Sequence, residues 1–310
     1  MAKRKSVKKL PLPAAIALLV IILISAVFEK TGIWDKIEYL VDGDAYSVNV
    51  AYSGEGVAAS IHFIDVGQGD CTLIISDDEA MLIDSGEAEY SNTVIKTLRN
   101  FGVSELDYIV ATHAHSDHIG GMADIIDAIP TENLILSRPT DDSMTTKIYT
   151  DMIDAAEEND VNIITATAGH TFTMGYTGCS IISPFNTDSS EENNNSIVMH
   201  ITAGTTSLLM TGDAESKAEK AILQHYPAIS ADILKAGHHG SKTSSSANFL
   251  AAVSPEVAII HVGANNSYNH PSKEVVDAIG EYTDAIYRTD RNGIISVYCF
   301  ENNYTIETQW

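Results

Sequence analysis

The segment THAHSDHIGG, residues 112–121, places His113, His115, Asp117 and His118 within six residues, after an apolar run and before a Gly-Gly pair. Four metal-competent groups so close together cannot all be packing residues, because an unpaired buried carboxylate is very costly. Alternate residues of an extended segment point the same way, so His113 and His115 can share one ion. Asp117 and His118 lie past the bend and can reach a second. MTGDAE, residues 210–215, ends the apolar run SLLM and sets Asp213 at a strand-to-helix turn, where one carboxylate can bridge two cations. Gly-Asp at a strand end is by itself only a turn or helix-cap signal, so its weight comes from this company. Twenty-five residues on, LKAGHHGSKTSSS (234–246) leaves another strand and displays His238 and His239. One of them can ligate while its neighbour donates a proton or hydrogen bond to a substrate.

Short β-rich runs alternate with helical ones around these segments. IHFIDV (61–66), CTLIIS (71–76) and AMLID (80–84) read as consecutive strands, joined by GQGD and SDDE turns. A helix over 91–101 and a strand at 106–112 lead into the His-rich segment. Further strands are expected near 133–136, 161–165, 178–183, 196–202 and 206–211, with helices near 120–128, 144–158 and 215–225. The tail repeats the scheme: DILKAG, a helix from about 245, VAIIHV, a helix at 272–281, AIYRT, IISVYCF and YTIETQ. Interleaved strands and helices imply an α/β class, with mixed sheets covered by helices.

HAHSDH, TGD and the late HHGS resemble the metallo-β-lactamase superfamily. The fuller set, IDVGQGD, LIDSG, NNNS, TGDAE, KAGHHGSKTSSS, NNSYNHPS and YRTDRNGII, is more specific. It resembles the soluble metallo-β-lactamase-like domain of ComEC-type competence proteins, the bacterial DNA-uptake channels, over about residues 60–308. The resemblance implies an αβ/βα four-layer sandwich with a metal site at the sheet edges. It also implies a metal set of Asp84, His113, His115, Asp117, His118, Asp213 and His239, with Asp117, His238, Lys242 and His270 in catalysis. The sequence holds a single apolar span in place of a polytopic channel, so this chain is not expected to be itself the DNA pore. A third His normally precedes the TGD aspartate by about 20 residues in the superfamily. Asn195 stands 18 residues before Asp213 instead, while His170 in GHTFTMG lies 43 residues before it and reads as a decoy on a surface turn. Asp84 in LIDSG is then the substitute ligand, or else a hydrogen-bond partner of the His-rich loop. Asp65 and Asp70 are expected to brace the glycine-rich turn. Lys242 could neutralise a phosphate or simply be solvated. His270, in a pocket-lining loop with Asn266 and Tyr268, could orient a leaving group. His62, His200, His225 and His261 read as structural, and Arg288, Thr289 and Asp290 as a turn of unassigned role.

Composition bounds the rest. The 310 residues carry a formal net charge of −24 with 45% apolar content, which excludes a disordered or collagen-like chain. Residues 29–310 hold 13 basic against 42 acidic groups, a net of −29, a poor default for gripping long nucleic acid. Cys71, Cys179 and Cys299 are too scattered for a zinc knuckle or a disulfide framework. Residues 1–9 hold five basic groups, and residues 10–28 form 19 uncharged positions, close to the span of a hydrocarbon layer roughly 30 Å thick. The basic flank predicts a single-pass signal anchor in the bacterial cytoplasmic membrane, with residues 1–9 cytoplasmic. Residues 29–59 read as a tether and 60–310 as an extracellular hydrolase domain, secreted should the N-terminal segment be cleaved.

The expected chemistry is hydrolysis of a phosphoester or phosphodiester by a hydroxide activated between two divalent cations. Zinc suits the imidazoles and manganese suits the carboxylates. A small phosphodiester fits the charge better than DNA, whose hydrolysis during uptake is the alternative that the resemblance implies. β-Lactam hydrolysis is poorly supported, since fold does not fix function. A tethered, catalytically silent binding module is the reading from another class. Loss of any of His113, His115, Asp117, His118, Asp213 or His239 would favour it, and none of these is lost.

Overall fold

A computed structural model describes residues 56–185 and 190–310. The basic segment 1–9, the apolar segment 10–28 and the tether up to residue 55 lie outside the described residues. Among the described residues no helix is long and apolar enough to cross a membrane.

The chain builds one sheet, then a second, then returns. Strands β1 (Ala59–Phe63), β2 (Thr72–Ser76), β3 (Glu79–Ile83), β4 (Leu106–Ala111), β5 (Thr131–Leu136) and β6 (Asn162–Thr165) open the first sheet. The second holds β7 (Thr171–Met174), β8 (Thr177–Ser183), β9 (Val198–Ala203), β10 (Thr206–Met210), β11 (Ile233–Lys235), β12 (Val257–Ile260) and β13 (Ile286–Arg288). Finally β14 (Ile295–Cys299) and β15 (Tyr304–Thr308) pair back beside β1. The orders are β15-β14-β1-β2-β3-β4-β5-β6 and β13-β12-β11-β10-β9-β8-β7. Hairpin-linked strands are antiparallel, whereas β3 to β6 and β10 to β13 run parallel through helical crossovers. Those helices are α1 (Ser91–Asn100), α2 (Ser116–Ile119), α3 (Met122–Ala128), α4 (Lys147–Glu158), α5 (Ser216–His225), α6 (Ala247–Val253) and α7 (Lys273–Ile279), while α8 (Thr289–Asn292) follows β13.

Side-chain alternation along each strand divides the core in two. Met81 and Ile83 of β3, Val110 of β4 and Ile135 of β5 face the second sheet, where Met199, Ile201, Leu208 and Ile259 meet them. Their neighbours Leu82, Ile109 and Leu134 point outward, onto Val94 and Leu98 of α1, Ile125 of α3 and Met152 of α4. The spacing of Val94, Ile95 and Leu98 gives α1 one apolar stripe. Burying each such side chain contributes roughly 1.5–3 kcal/mol, so Leu98→Ala removes about that much and leaves a cavity as well. Helices flanking two packed sheets make the αβ/βα sandwich expected from the sequence.

TFTM of GHTFTMG forms strand β7, a strand not among those expected from the sequence. Thr and Phe suit a pleated edge strand, and Gly175, at φ 52, supplies the left-handed residue that a two-residue hairpin to β8 needs. His170 sits exposed just before that strand.

Asp84 follows β3, Thr112 and His113 follow β4, Asp213 comes three residues after the end of β10, and His238 and His239 follow β11. All therefore emerge at the carboxyl ends of parallel strands, where α/β sheets open a crevice. Asp70 precedes β2, which is antiparallel to β3, and so reaches the same edge.

Candidate metal centre

Asp213 occupies the middle of the crevice. Gly212, at φ 49, turns the chain after β10, and the hydroxyl of Ser196 accepts the Asp213 amide at 3.1 Å. The Asp213 carboxylate then faces four imidazoles. Its Oδ1 is 3.3 Å from His118 Nε2, and its Oδ2 is 3.6 Å from His239 Nε2, 3.7 Å from His238 Nε2 and 4.0 Å from His113 Nε2. Asp117 Oδ2 lies 3.2 Å from His239 Nε2. His113 Nε2 and His115 Nδ1 are 3.0 Å apart, with His115 exposed at the rim.

Donors on one tetrahedral zinc, at about 2.0–2.2 Å from it, stand roughly 3.3–3.6 Å from each other. The observed separations, 3.0 to 4.0 Å, bracket that range. Donor atoms of His113, His118 and Asp213, of Asp117, His118 and His239, and of Asp70, Asp213 and His239 each cluster within 4.8 Å. His118 Nε2 and Asp213 Oδ1 are buried without a hydrogen-bond partner. Orphaned buried polar atoms are rare, and a cation between these two would satisfy both. The residues present thus fit a metal centre.

A layer of carboxylates holds the rings. Asp84, itself at φ 58, accepts the Thr112 amide (2.9 Å) on Oδ1 and the Thr112 hydroxyl (2.7 Å) on Oδ2. The same Oδ2 takes His118 Nδ1 at 2.8 Å, so Asp84 grips the ring from behind while also clustering with Asp70 and His118. Asp70 Oδ1 lies 3.3 Å from His239 Nδ1 and 3.5 Å from His261 Nδ1, so His261 adjoins the site rather than serving packing alone. Lys235, buried at the end of β11, pairs with Asp70 and donates to the Gly212 carbonyl at 2.8 Å. A side chain on Gly69 would collide with the Asp117 carbonyl, which is how the DVGQGD turn approaches the His-rich loop. Asp65 braces that turn by accepting the Gly67 amide at 3.0 Å.

Electrostatically the pocket wants positive charge. Burial lowers the affinity of His239 for a proton, but Asp213, Asp117 and Asp70 outweigh it and raise its pKa to about 9. Burial likewise opposes a charged His118, yet Asp213, Asp84 and Asp117 lift it well above the ordinary imidazole value. Burial by itself raises the Asp117 carboxyl, while His118 and His239 bring it down to about 2. Protons or metal ions can supply the charge these carboxylates attract.

His238 and His239 have φ of 49 and 53, two successive left-handed residues at a cost of roughly 1–2 kcal/mol each. Such strain marks a site held by its surroundings. It sends the two rings apart: His239 inward, His238 to the rim. There His238 Nδ1 lies 3.2 Å from Glu215 Oε1 and 3.1 Å from Thr243 Oγ1. The His270 ring stands edge-on to His238 at 5.6 Å, and Tyr268 stacks outside it at 5.9 Å. Asn266 ties this loop together by accepting the His270 amide and donating to its carbonyl. Lys242 is exposed on the loop after His239.

The NNNS segment braces the site. Its Ser196 holds Asp213, and Asn194 Oδ1 accepts the Ala218 amide at 3.1 Å. Asn195 is buried at the end of the short turn Glu192–Asn195. Glu192 receives the Ala114 amide (3.1 Å) and the Thr140 amide (2.8 Å), clamping the residue between His113 and His115. Sequence reasoning passed over Glu192 and Lys235 and underrated Asp70. For Lys235 the signal was a charged residue in the run ILKA, since lysine is almost never fully buried without a partner.

The sequence model of the metallo-beta-lactamase superfamily matches residues 64–263. ComE operon protein 3 of Bacillus subtilis is 31% identical over 273 residues, covering 81% of this chain and 34% of that protein. Competence protein ComA of Neisseria gonorrhoeae is 30% identical over 251 residues, covering 79% of this chain and 33% of that protein. The chain thus spans about a third of the length of these relatives. Among solved structures, CmlA of Streptomyces venezuelae, a diiron beta-hydroxylase, matches with a TM-score of 0.55 at 11% identity, over 80% of this chain and 55% of that one. That likeness is one of fold.

Proposed function

The chain belongs to the metallo-beta-lactamase superfamily, and we propose that it is a hydrolase of phosphoester or phosphodiester bonds that works with two divalent cations. The observation that carries the reading is the convergence of His113, His118, His238 and His239 on the carboxylate of Asp213. His113, His115 and Asp213 would hold one ion, and Asp117, His118, His239 and Asp213 the other. Zinc is the expected metal and manganese the alternative, because imidazole and carboxylate donors suit both. Once bound, such ions supply an activated water near neutral pH and neutralise charge on a phosphoryl oxygen.

The chain's own residues do the rest. Asp84 keeps His118 in the tautomer whose Nε2 is free, by accepting its Nδ1 proton. His238, tied at Nδ1 to Glu215 and Thr243, presents Nε2 to the crevice and donates a hydrogen bond or proton to the substrate. His270, beside it, orients the leaving group, and Lys242 offers a mobile positive charge to the phosphate. The tethered topology, with residues 10–28 in the cytoplasmic membrane and the hydrolase domain outside, is part of the same proposal and rests on the charge pattern.

DNA is the second reading. It is favoured by the names of the competence relatives and opposed by the net charge of −29 over residues 29–310. Metal-stripped full-length chain, reloaded with zinc or manganese, separates the possibilities. Hydrolysis of bis(p-nitrophenyl) phosphate, single-stranded DNA and a chromogenic β-lactam is followed, with Asp213→Ala as the blank. Phosphodiester turnover that needs both metal and Asp213 establishes the enzyme, and the DNA lane chooses the substrate class. Bound metal without turnover on any of the three points to a binding module. A chain that binds no metal sinks the site.

A further inference from the structure

Lys235 closes β11 with its side chain only 1% exposed, among the buried Ile233, Leu234 and Ala236. A buried ammonium persists only where its charge and hydrogen bonds are met. Here they are met by the ion pair with Asp70 and by the Gly212 carbonyl at 2.8 Å, with Asp213 Oδ1 at 4.0 Å. Asp70 in turn faces His239 Nδ1 at 3.3 Å. We propose that Lys235 is a positioning residue that, through Asp70, fixes the ring of His239 so that Nε2 is presented to the ion shared with Asp117 and Asp213.

Three observations converge on this. First, His239 lies on left-handed backbone next to another left-handed residue, so its ring direction is not set by regular secondary structure. Second, its Nδ1 hydrogen-bonds the His261 carbonyl at 3.1 Å, and Asp70 Oδ1, a buried oxygen with no hydrogen bond of its own, lies 3.3 Å from the same nitrogen as an ion-pair partner. Third, Asp70 shares donor clusters with Asp84 and Asp213, whose negative charges repel it. The Lys235 ammonium offsets that repulsion and anchors Oδ2, leaving Oδ1 for the histidine. The contrast with His118 is instructive. Its carboxylate, Asp84, is held by two neutral donors of Thr112 and needs no cation. The two histidines of this ion are thus each backed by a carboxylate, one anchored by a threonine and the other by a lysine.

The inference rests on the metal-centre reading, and cobalt(II) binding by the full chain distinguishes the failure of either. Affinity and the visible absorption of bound cobalt are compared for wild type, Lys235→Met, Asp70→Asn and the double variant, with melting curves confirming the fold. Loss of an outer partner of a metal-bound histidine weakens binding roughly 10–100-fold. Each single variant is expected to show a loss of that order with an altered cobalt spectrum, and the double variant no more than either. A folded Lys235→Met with wild-type affinity and spectrum overturns the proposal, as does a double variant whose loss is the product of the two. Should Lys235→Met fail to fold, the double variant, which leaves no unpaired buried charge, is compared with Asp70→Asn. Equal affinity supports the proposal and a further fall overturns it. A wild-type chain that takes up no cobalt overturns the metal centre and this inference together.

Discussion

His118 Nδ1 lies 2.8 Å from Asp84 Oδ2, and that contact decides which nitrogen of His118 faces the centre. A carboxylate only accepts, so Nδ1 carries the proton and Nε2 keeps its lone pair. In Asp84→Asn the amide can instead donate to Nδ1 and favour the wrong tautomer. Metal affinity is expected to fall roughly 10–100-fold, read by competition with a chelator, while the melting curve stays cooperative. Unchanged affinity in a folded variant would remove Asp84 from the centre.

Asp213 is shared by both donor groups, so its loss is felt at both. Asp213→Ala is expected to bind less than one metal ion per chain against two for wild type. Hydrolysis should fall by more than the roughly 100-fold that loss of an outer partner causes. Elemental analysis of the purified chain gives the count, and two ions retained would show that Asp213 is not the bridge.

Glu192 tests whether the His-rich loop is positioned from outside. Its carboxylate receives the amides of Ala114 and Thr140. Glu192→Ala leaves two amides without that acceptor, at about 1–3 kcal/mol each where they stay buried. A melting point lower by several °C is expected, together with weaker binding of the ion at His113 and His115. A variant that melts early but binds both ions normally would confine Glu192 to stability.

Metal binding should tighten as pH rises towards about 9. In the metal-free protein the pKa of His239 is raised to about 9, so near neutrality an incoming ion must displace its proton. Proton release on metal binding, measured by calorimetry in buffers of different ionisation enthalpy, checks this. For the metal-free fold the sign reverses. His239 contributes stability that is complete below its unfolded value of 6.5 and is lost as pH climbs through about 9.

His62 governs the acid side, away from the metal. It stacks on Phe101 at 3.9 Å and shares hydrogen bonds with Ser296 (2.8 Å) and Ser60 (3.0 Å), while burial lowers its pKa from 6.5 to about 4. The unfolded chain therefore binds the proton first, and stability falls as pH drops from 6.5 to about 4. The loss is about 3 kcal/mol at one unit per 1.36 kcal/mol. Denaturant midpoints across that window should drop less in His62→Gln than in wild type. Parallel curves would show that another group carries the acid limb.

Much of the architecture was legible because it depends on local rules. Short apolar runs bounded by turn residues, as in CTLIIS and AMLID, and the apolar stripe of 91–101 announce strands and a helix wherever they occur. HAHSDH, TGD and AGHH were legible for a different reason, since so many ligand-type residues at strand ends have no cheaper explanation. TFTM was missed because a four-residue edge strand carries too few positions to show a period. Asp70 looked like a turn residue because its own neighbours, Gly67 and Gly69, are turn residues.

What escaped the sequence depends on residues far apart along the chain. Glu192 meets Ala114 across 78 positions and His239 meets Asp117 across 122. No spacing rule links such pairs, because strand order and register bring them together. The sequence by itself determined which residues could hold cations, that strand ends would carry them, and the charge of the surface around them. Only the tertiary structure decided that Asp70 turns inward, that Lys235 is buried against it, and that Asp84 stands behind His118. The reason is physical. A ligand's identity is written in its side chain, whereas its orientation and charge state are set by whatever the folded chain packs against it.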